Sequence, residues 1–365
     1  MTDRSSPAVT PIPVELDHVE FYVADLGAET TRLTAEYGFE LLVPPTERGE
    51  AAERCLSALF GQAAIRLLVT QPLAAGHPAT GYLERHGDGV AALGLRVPDA
   101  AEAFRTLTDR GAAALRPPLA ADGCVTAVVD AFGDVVHTLV ERAPGTPAGR
   151  IPGLPDPLPL TDDSEVGLRS VDHFAVLVPY GELRTTEARY RDVFGFRTIF
   201  EERVEFGALG MDSAVVQSAD HSVTLTLIEP LSADAGGQIA SFLAGHDGAG
   251  VQHVAFASED AVHSVATMAE RGVPFLRTPQ TYYDALPGRL TPLRHSTDQL
   301  RELNLLVDQD HDGQLFQIFT RSQHPRNTFF FEVIERIRAR NFGSNNIRAL
   351  YEAVELQRNA SEVAG

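Results

Sequence analysis

Leu16-Asp17-His18-Val19-Glu20-Phe21-Tyr22-Val23 returns further along the chain as Val171-Asp172-His173-Phe174-Ala175-Val176-Leu177-Val178, and the architecture follows from that return. Two more pairs keep nearly the same displacement. Tyr37-Gly38-Phe39 answers to Phe194-Gly195-Phe196, and Ala64-Ile65-Arg66-Leu67-Leu68-Val69-Thr70-Gln71-Pro72 to Ser222-Val223-Thr224-Leu225-Thr226-Leu227-Ile228-Glu229-Pro230. Ordered matches at one displacement are the signature of an internal repeat, so the two halves share one design. Each half divides again, because a second strand pattern starts at Gly89-Val90-Ala91-Ala92-Leu93-Gly94-Leu95 and at Gly250-Val251-Gln252-His253-Val254-Ala255-Phe256. Apolar spacing then predicts helices over 101–111 and 261–272, each closed by Arg-Gly. Short alternating strands are expected at 125–129, 135–140, 303–307 and 315–319. The unit is a strand, a helix and roughly three strands. The expected class is α+β: four βαβββ modules forming two open barrels. A doubly wound parallel sheet is excluded, since it needs a helix between successive strands and a Gly-rich first turn.

Residues 144–167 are rich in Pro, Gly and Asp, a composition suited to a linker. We therefore expect a first domain over 1–150, a linker over 151–167 and a second domain over 168–365. Across the 365 residues, 30 Lys and Arg against 50 Asp and Glu give a net charge of -20. Such a field repels nucleic acid and anionic membrane surfaces, so neither is expected as a partner. The two cysteines, Cys55 and Cys124, lie far apart without metal-finger or redox spacing, which suits a reducing compartment. No apolar run approaches the roughly 20 residues needed to span a bilayer. The opening Met1-Thr2-Asp3-Arg4-Ser5-Ser6-Pro7 lacks an export signal's apolar stretch, and a cytoplasmic location is expected.

The candidate chemistry lies in the second half, on His173, His253 and Glu332. His173 and His253 fall in the first strands of two sister modules, from which their imidazoles can aim at one centre. Glu332 sits in Phe329-Phe330-Phe331-Glu332-Val333-Ile334-Glu335, where a carboxylate among apolar neighbours needs a partner to offset its desolvation. Two neutral imidazoles and a carboxylate make the facial set that holds Fe(II) and leaves other positions open. A lone strand histidine is ordinarily a structural hydrogen-bonding residue. His18 is read that way: it matches His173, but Ala92 stands where His253 would be, so the first half is expected to lack a metal site. Glu335, three residues beyond Glu332, falls on the other face of the strand, where a salt bridge or solvent exposure is expected rather than ligation.

These residues carry a resemblance that covers nearly the whole chain. Val171-Asp172-His173-Phe174, Gly248-Ala249-Gly250-Val251-Gln252-His253, Leu315-Phe316-Gln317-Ile318-Phe319-Thr320, Phe330-Phe331-Glu332-Val333-Ile334-Glu335 and the tail Phe342-Gly343-Ser344-Asn345-Asn346-Ile347 resemble the 4-hydroxyphenylpyruvate dioxygenase family of the vicinal oxygen chelate superfamily. The resemblance implies Fe(II) held by His173, His253 and Glu332, with 4-hydroxyphenylpyruvate and dioxygen as substrates. It also implies oxidative decarboxylation without a separate keto acid, and a homo-oligomer, here expected to be a homodimer.

Several wall positions depart from the homogentisate-forming pattern. Thr226-Leu227-Ile228-Glu229-Pro230 stands where those enzymes have Pro-x-Asn-Glu-Pro, Ile347 where they have Phe, and Tyr351 where Phe is common. These departures resemble the 4-hydroxymandelate synthase branch, which hydroxylates the benzylic carbon and supplies a precursor of the antibiotic residue 4-hydroxyphenylglycine. The resemblance further carries Ser213, Gln238, Gln252, Gln317 and Asn346 over as polar wall residues and Phe331 and Phe342 as rings near the substrate. A helix beginning near Asn345 is expected to act as a lid. The competing expectations are a homogentisate-forming dioxygenase and, in another class, a metal-free ligand-binding protein of the same fold.

Overall fold

Val19 and Phe21 of β1 (Glu15–Tyr22) point into the main hydrophobic core, while His18 and Glu20 alternate onto the opposite face. That alternation, repeated strand after strand, sorts the molecule into a core face and an open face. The computed structural model describes residues 9–161, 164–206, 209–234, 236–343 and 345–346. In the first half, β1 is followed by α1 (Leu26–Thr31), which continues as a π-helical turn, then β2 (Glu40–Arg48), β3 (Cys55–Gln62) and β4 (Ile65–Pro72). A connecting helix, α2 (Pro78–His86), leads to β5 (Gly89–Arg96), α3 (Ala100–Asp109), β6 (Ala114–Ala121), β7 (Cys124–Phe132) and β8 (Val135–Arg142).

The second half repeats the order. It runs β9 (Leu168–Leu177), α4 (Leu183–Arg189), β10 (Arg197–Phe206), β11 (Leu209–Gln217), β12 (Thr224–Pro230), α5 (Gly237–His246), β13 (Gly250–Ser258) and α6 (Ala261–Glu270). Two helices, α7 (Gln280–Arg289) and α8 (Thr297–Glu302), then intervene before β14 (Leu306–Gln309), β15 (Gln314–Phe319) and β16 (Phe330–Ile337). The strands form two eight-stranded mixed sheets of identical order, β2-β3-β4-β1-β5-β8-β7-β6 and β10-β11-β12-β9-β13-β16-β15-β14. Each sheet is two βαβββ modules joined along an antiparallel seam, β1 with β5 and β9 with β13. The α+β class and the fourfold module expected from the sequence are observed.

One hydrophobic core runs through both halves. It takes Leu26, Ala103 and Leu107 from the helices of the first half, Leu183, Val265 and Met268 from those of the second, and the core faces of both sheets. Aromatic rings cross between the halves: Phe331 meets Tyr37 at 5.1 Å and Phe21 at 6.2 Å, and Phe39 meets Phe256 at 5.8 Å. Among the described residues no helix is long and apolar enough to cross a membrane.

A polar pair braces each open face. Asp17 accepts from both terminal nitrogens of Arg142 and lies 2.7 Å from His18 Nδ1. Burial raises the Asp17 carboxyl, but His18 and Arg142 outweigh it and hold it at about 2, against an ordinary 3.8. A depressed folded value contributes stability that is present above the unfolded value and lost as pH falls through the folded one. Between pH 4 and pH 2, wild type is expected to lose about 2 kcal/mol more unfolding free energy than Asp17→Asn, read by urea titration at each pH. At the crossing between the halves, Phe331→Ala is expected to cost about 3–5 kcal/mol in the same assay at neutral pH.

Candidate metal centre

The site is built by three adjacent strands, β9, β13 and β16. Ala255 of β13 pairs with His173 on one side and with Glu332 on the other. His253, two residues back on β13, shares their face. The Nε2 atoms of His173 and His253 lie 3.3 and 3.2 Å from Glu332 Oε2. All three residues are buried, and their ligand atoms lie within 4.8 Å of one another, a group that can hold a metal ion.

Two β-bulges set this geometry. The register slips at Asp172, between Ala255/His173 and Phe256/Val171, and again at Gln252, between Val251 and His253. A bulge re-aims side chains, so Asp172 can reach the ring of its own neighbour, and the slip at Gln252 sets His253 opposite Ala175. Asp172 Oδ1 accepts from His173 Nδ1 at 2.8 Å, which leaves Nε2 as the lone-pair atom facing Glu332. His253 Nδ1 is buried with no hydrogen-bond partner among the described residues.

The donor set fits a cation. Lone pairs of two imidazoles and a carboxylate converge on one point and repel unless positive charge stands between them. Burial disfavours a charged His173, yet Asp172 and Glu332 outweigh it and raise the imidazole to about 9. Burial likewise raises Glu332, and the two imidazoles outweigh it and hold the carboxyl below its ordinary value. His253 is driven down by burial.

The first half shows the same frame without the donors. Gly94 pairs with both His18 and Thr138, so Thr138 occupies the register place of Glu332, and Ala92 that of His253. A Cβ on Gly94 would come within 2.4 Å of the His18 ring. Among the described residues the first half holds no group of three metal-ligating side chains. Glu335, on the core face, is buried rather than exposed. It accepts from Ala261 N at 2.8 Å, Arg294 at 2.9 Å and His295 Nε2 at 2.8 Å.

The expected wall residues divide. Thr226 and Ile228 pair with Ala175 and Leu177 and so share the face of His173, and Ser213 lies opposite Ile228. Thr226 Oγ1 is buried without a partner among the described residues, whereas Ser213 Oγ donates to Glu202 O at 3.1 Å. Gln317 is buried opposite Ile334 on the same face, and Gln252 is half-buried at its bulge. Phe342 stands edge-on to His173 at 5.3 Å. Asn346 is buried, with Oδ1 accepting from Tyr282 at 2.8 Å and Nδ2 unpartnered among the described residues. Ile347, Tyr351 and the body of the expected lid helix lie outside the described residues.

One expectation is corrected. Phe331 does not face the triad; strand alternation from Glu332 puts its ring in the core against Tyr37, Phe256 and Phe329. Gln238 is exposed on the first turn of α5. The rings that do line the centre are Phe330, stacked on His253 at 5.0 Å, and Phe319, edge-on to it at 5.5 Å. Both were identifiable, since Phe330 is two residues from Glu332 and Phe319 two from Gln317.

Paired βαβββ modules with two histidines and a glutamate on adjacent strands define an enzyme of the vicinal oxygen chelate class. The family model described as the glyoxalase/bleomycin resistance protein/dioxygenase superfamily matches residues 172–288. A solved structure, a triple mutant of 4-hydroxymandelate synthase from Streptomyces coelicolor, is 39% identical with a TM-score of 0.82, covering 95% of this chain and 99% of that one. The 4-hydroxyphenylpyruvate dioxygenase of Neurospora crassa is 29% identical, over 93% of this chain and 90% of its own length. That of Xenopus tropicalis is also 29% identical, over 94% and 91%. The chain belongs to the 4-hydroxyphenylpyruvate dioxygenase family, which includes 4-hydroxymandelate synthase, and is a non-haem iron dioxygenase of that family.

In anaerobic Co(II) titration, His173→Ala and Glu332→Gln are each expected to weaken uptake at least about 100-fold, while His18→Ala leaves it unchanged. Equal losses from His18→Ala and His173→Ala would place the centre elsewhere.

Proposed function

We propose that the chain is a 4-hydroxymandelate synthase, with Fe(II) bound by His173, His253 and Glu332. The reaction is 4-hydroxyphenylpyruvate + O2 → 4-hydroxymandelate + CO2: one oxygen atom enters the new carboxylate and the other the benzylic C–H. The observation that carries this reading is the wall beside His173, where Thr226 and Ile228 share the triad's face and Ile228 offers an apolar surface in place of a polar amide. The 39% identity with a 4-hydroxymandelate synthase over 95% of the chain supports it.

Bound Fe(II) supplies a Lewis acid for the keto acid and electrons for dioxygen. The chain's own residues bind and orient. Asp172 fixes the tautomer of His173, and Phe319, Phe330 and Phe342 surround the two imidazoles with apolar edges and faces that exclude water. Thr226 Oγ1 offers a buried hydroxyl to a polar atom of the substrate. Ile228 leaves the aryl ring held by shape rather than by a hydrogen bond, which favours a pose presenting the benzylic carbon. The product belongs to the chemistry that leads to 4-hydroxyphenylglycine.

A second reading, homogentisate formation, draws on the dioxygenases at 29% identity. The deciding experiment is anaerobic reconstitution with Fe(II), then 4-hydroxyphenylpyruvate and oxygen, with products separated by retention against authentic standards because the two have equal mass. 4-Hydroxymandelate is the expected peak, and Ile228→Asn is expected to move the product ratio toward homogentisate by about tenfold. Homogentisate from wild type overturns the synthase reading. No product and no CO2 points to the metal-free binding protein.

A further inference from the structure

We infer that Arg336 is a positioning residue, which holds His173 and Phe342 in one fixed arrangement; the inference rests on the ligand reading of His173. Arg336 leaves β16 on the same face as Glu332, four residues further along the strand. Its Nε donates to Asp172 Oδ2 at 2.8 Å and its Nη2 to Asp172 Oδ1 at 2.9 Å, a bidentate fork. That same Oδ1 accepts from His173 Nδ1. The guanidinium plane covers the Phe342 ring at 4.8 Å, and the Phe342 edge meets the His173 ring at 5.3 Å and 90°. Arg336, Asp172, His173 and Phe342 therefore close a ring of contacts.

The remaining donor extends the hold into the chain. Arg336 Nη1 donates to Asn341 O at 2.6 Å, one residue before Phe342. Gly343 then passes so close to the Gln317 amide that a Cβ would lie 2.2 Å from its nitrogen. One planar fork thus sets the imidazole, the aromatic beside it and the backbone against the wall. A lysine ammonium keeps the charge but cannot match two carboxylate oxygens and cover a ring at once.

The first half supplies an internal control. Arg142 bridges to Asp17, and Asp17 to His18, in the same bulged frame. Arg142's further donor goes to Arg150 O at 3.0 Å. With Ala92 and Thr138 in the other places, this bridge braces a sheet and no centre. A purely structural role for Arg336 predicts equal consequences from Arg142→Lys and Arg336→Lys; a positioning role predicts different ones.

The test compares full-length wild type with Arg336→Lys, Arg142→Lys and Phe342→Leu. Besides the melting temperature, two quantities are read: the Co(II) dissociation constant with its ligand-field spectrum, and the ratio of hydroxylated product to CO2 from 4-hydroxyphenylpyruvate in the Fe(II) enzyme. Arg336→Lys is expected to weaken Co(II) binding about 10–100-fold, shift the spectrum and lower the ratio. Arg142→Lys is expected to lower the melting temperature while leaving both readouts within about twofold of wild type. Phe342→Leu, which keeps the ion pair, is expected to bind Co(II) within about threefold of wild type yet lower the ratio, and it carries the test if Arg336→Lys does not fold. Wild-type values in both readouts for Arg336→Lys, equal shifts in Arg142→Lys, or an unchanged ratio in Phe342→Leu overturn the inference. Wild type that takes up no Co(II) instead overturns the ligand reading, and the inference with it.

Discussion

Everything at the centre depends on the register of β13 between its two neighbours. Ala255 faces His173 across one seam and Glu332 across the other, and its methyl group is small enough to leave the space between them free. A one-residue slip on either side would turn a ligand-type side chain into the core, because strand side chains alternate with a period of two. The register is in turn fixed by burial. Val254 and Phe256, the alternates of His253 and Ala255, belong to the main core, so the hydrophobic energy of the core face holds the polar face in place. The charged groups contribute aim, and the apolar ones contribute the force that maintains it.

The two halves use one frame for different ends. In the first, Glu20, Arg48, Ser57 and Thr70 form a closed polar network on the open face, with contacts of 2.9 to 3.1 Å. Thr70 and Ser57 correspond by register to Ile228 and Ser213. Where that network satisfies its own polar groups, the second half keeps an apolar strand position and leaves Thr226 Oγ1 unpartnered among the described residues. Buried polar groups are normally hydrogen-bonded, so an open one on the face of the three converging ligand atoms supports the proposal that this face receives a substrate. The Asp-His-Arg bridge is shared by both halves, beside the bulged strand in each.

The repeat made the fold legible: matching strands at one displacement allow only a few architectures, and the observed sheets follow them. The triad was legible for a related reason, since residue type and strand position together left few ways to arrange His173, His253 and Glu332. The bulges at Asp172 and Gln252 were not, because a slip of one residue leaves no trace in composition. The run Phe329-Phe330-Phe331 has no polar alternation to mark its faces, and only counting from Glu332 separates the core ring from the ring beside His253. Helices α7 and α8 interrupt the fourth module without a counterpart in the second, and Pro287 inside α7 obscures its helical pattern. That insertion also displaced the expected strand at 303–307, which begins at Leu306 after the turn that ends α8.

A wall of aliphatic side chains discriminates weakly by affinity, about 1–3 kcal/mol per methylene, yet it can discriminate strongly by position. A polar amide at the place of Ile228 would tether the aryl group through a directional bond and fix which carbon faces the metal. An isoleucine offers no such bond, so on the proposed reading the pose is set by shape and by the rest of the face. That face also carries the Thr226 hydroxyl, unpartnered among the described residues, and Phe342 stands edge-on to His173. Phe342 is itself held under Arg336, which is anchored to Asp172 and through it to His173. The proposed substrate wall and the proposed metal ligand are therefore joined by one chain of contacts through Arg336 and Asp172.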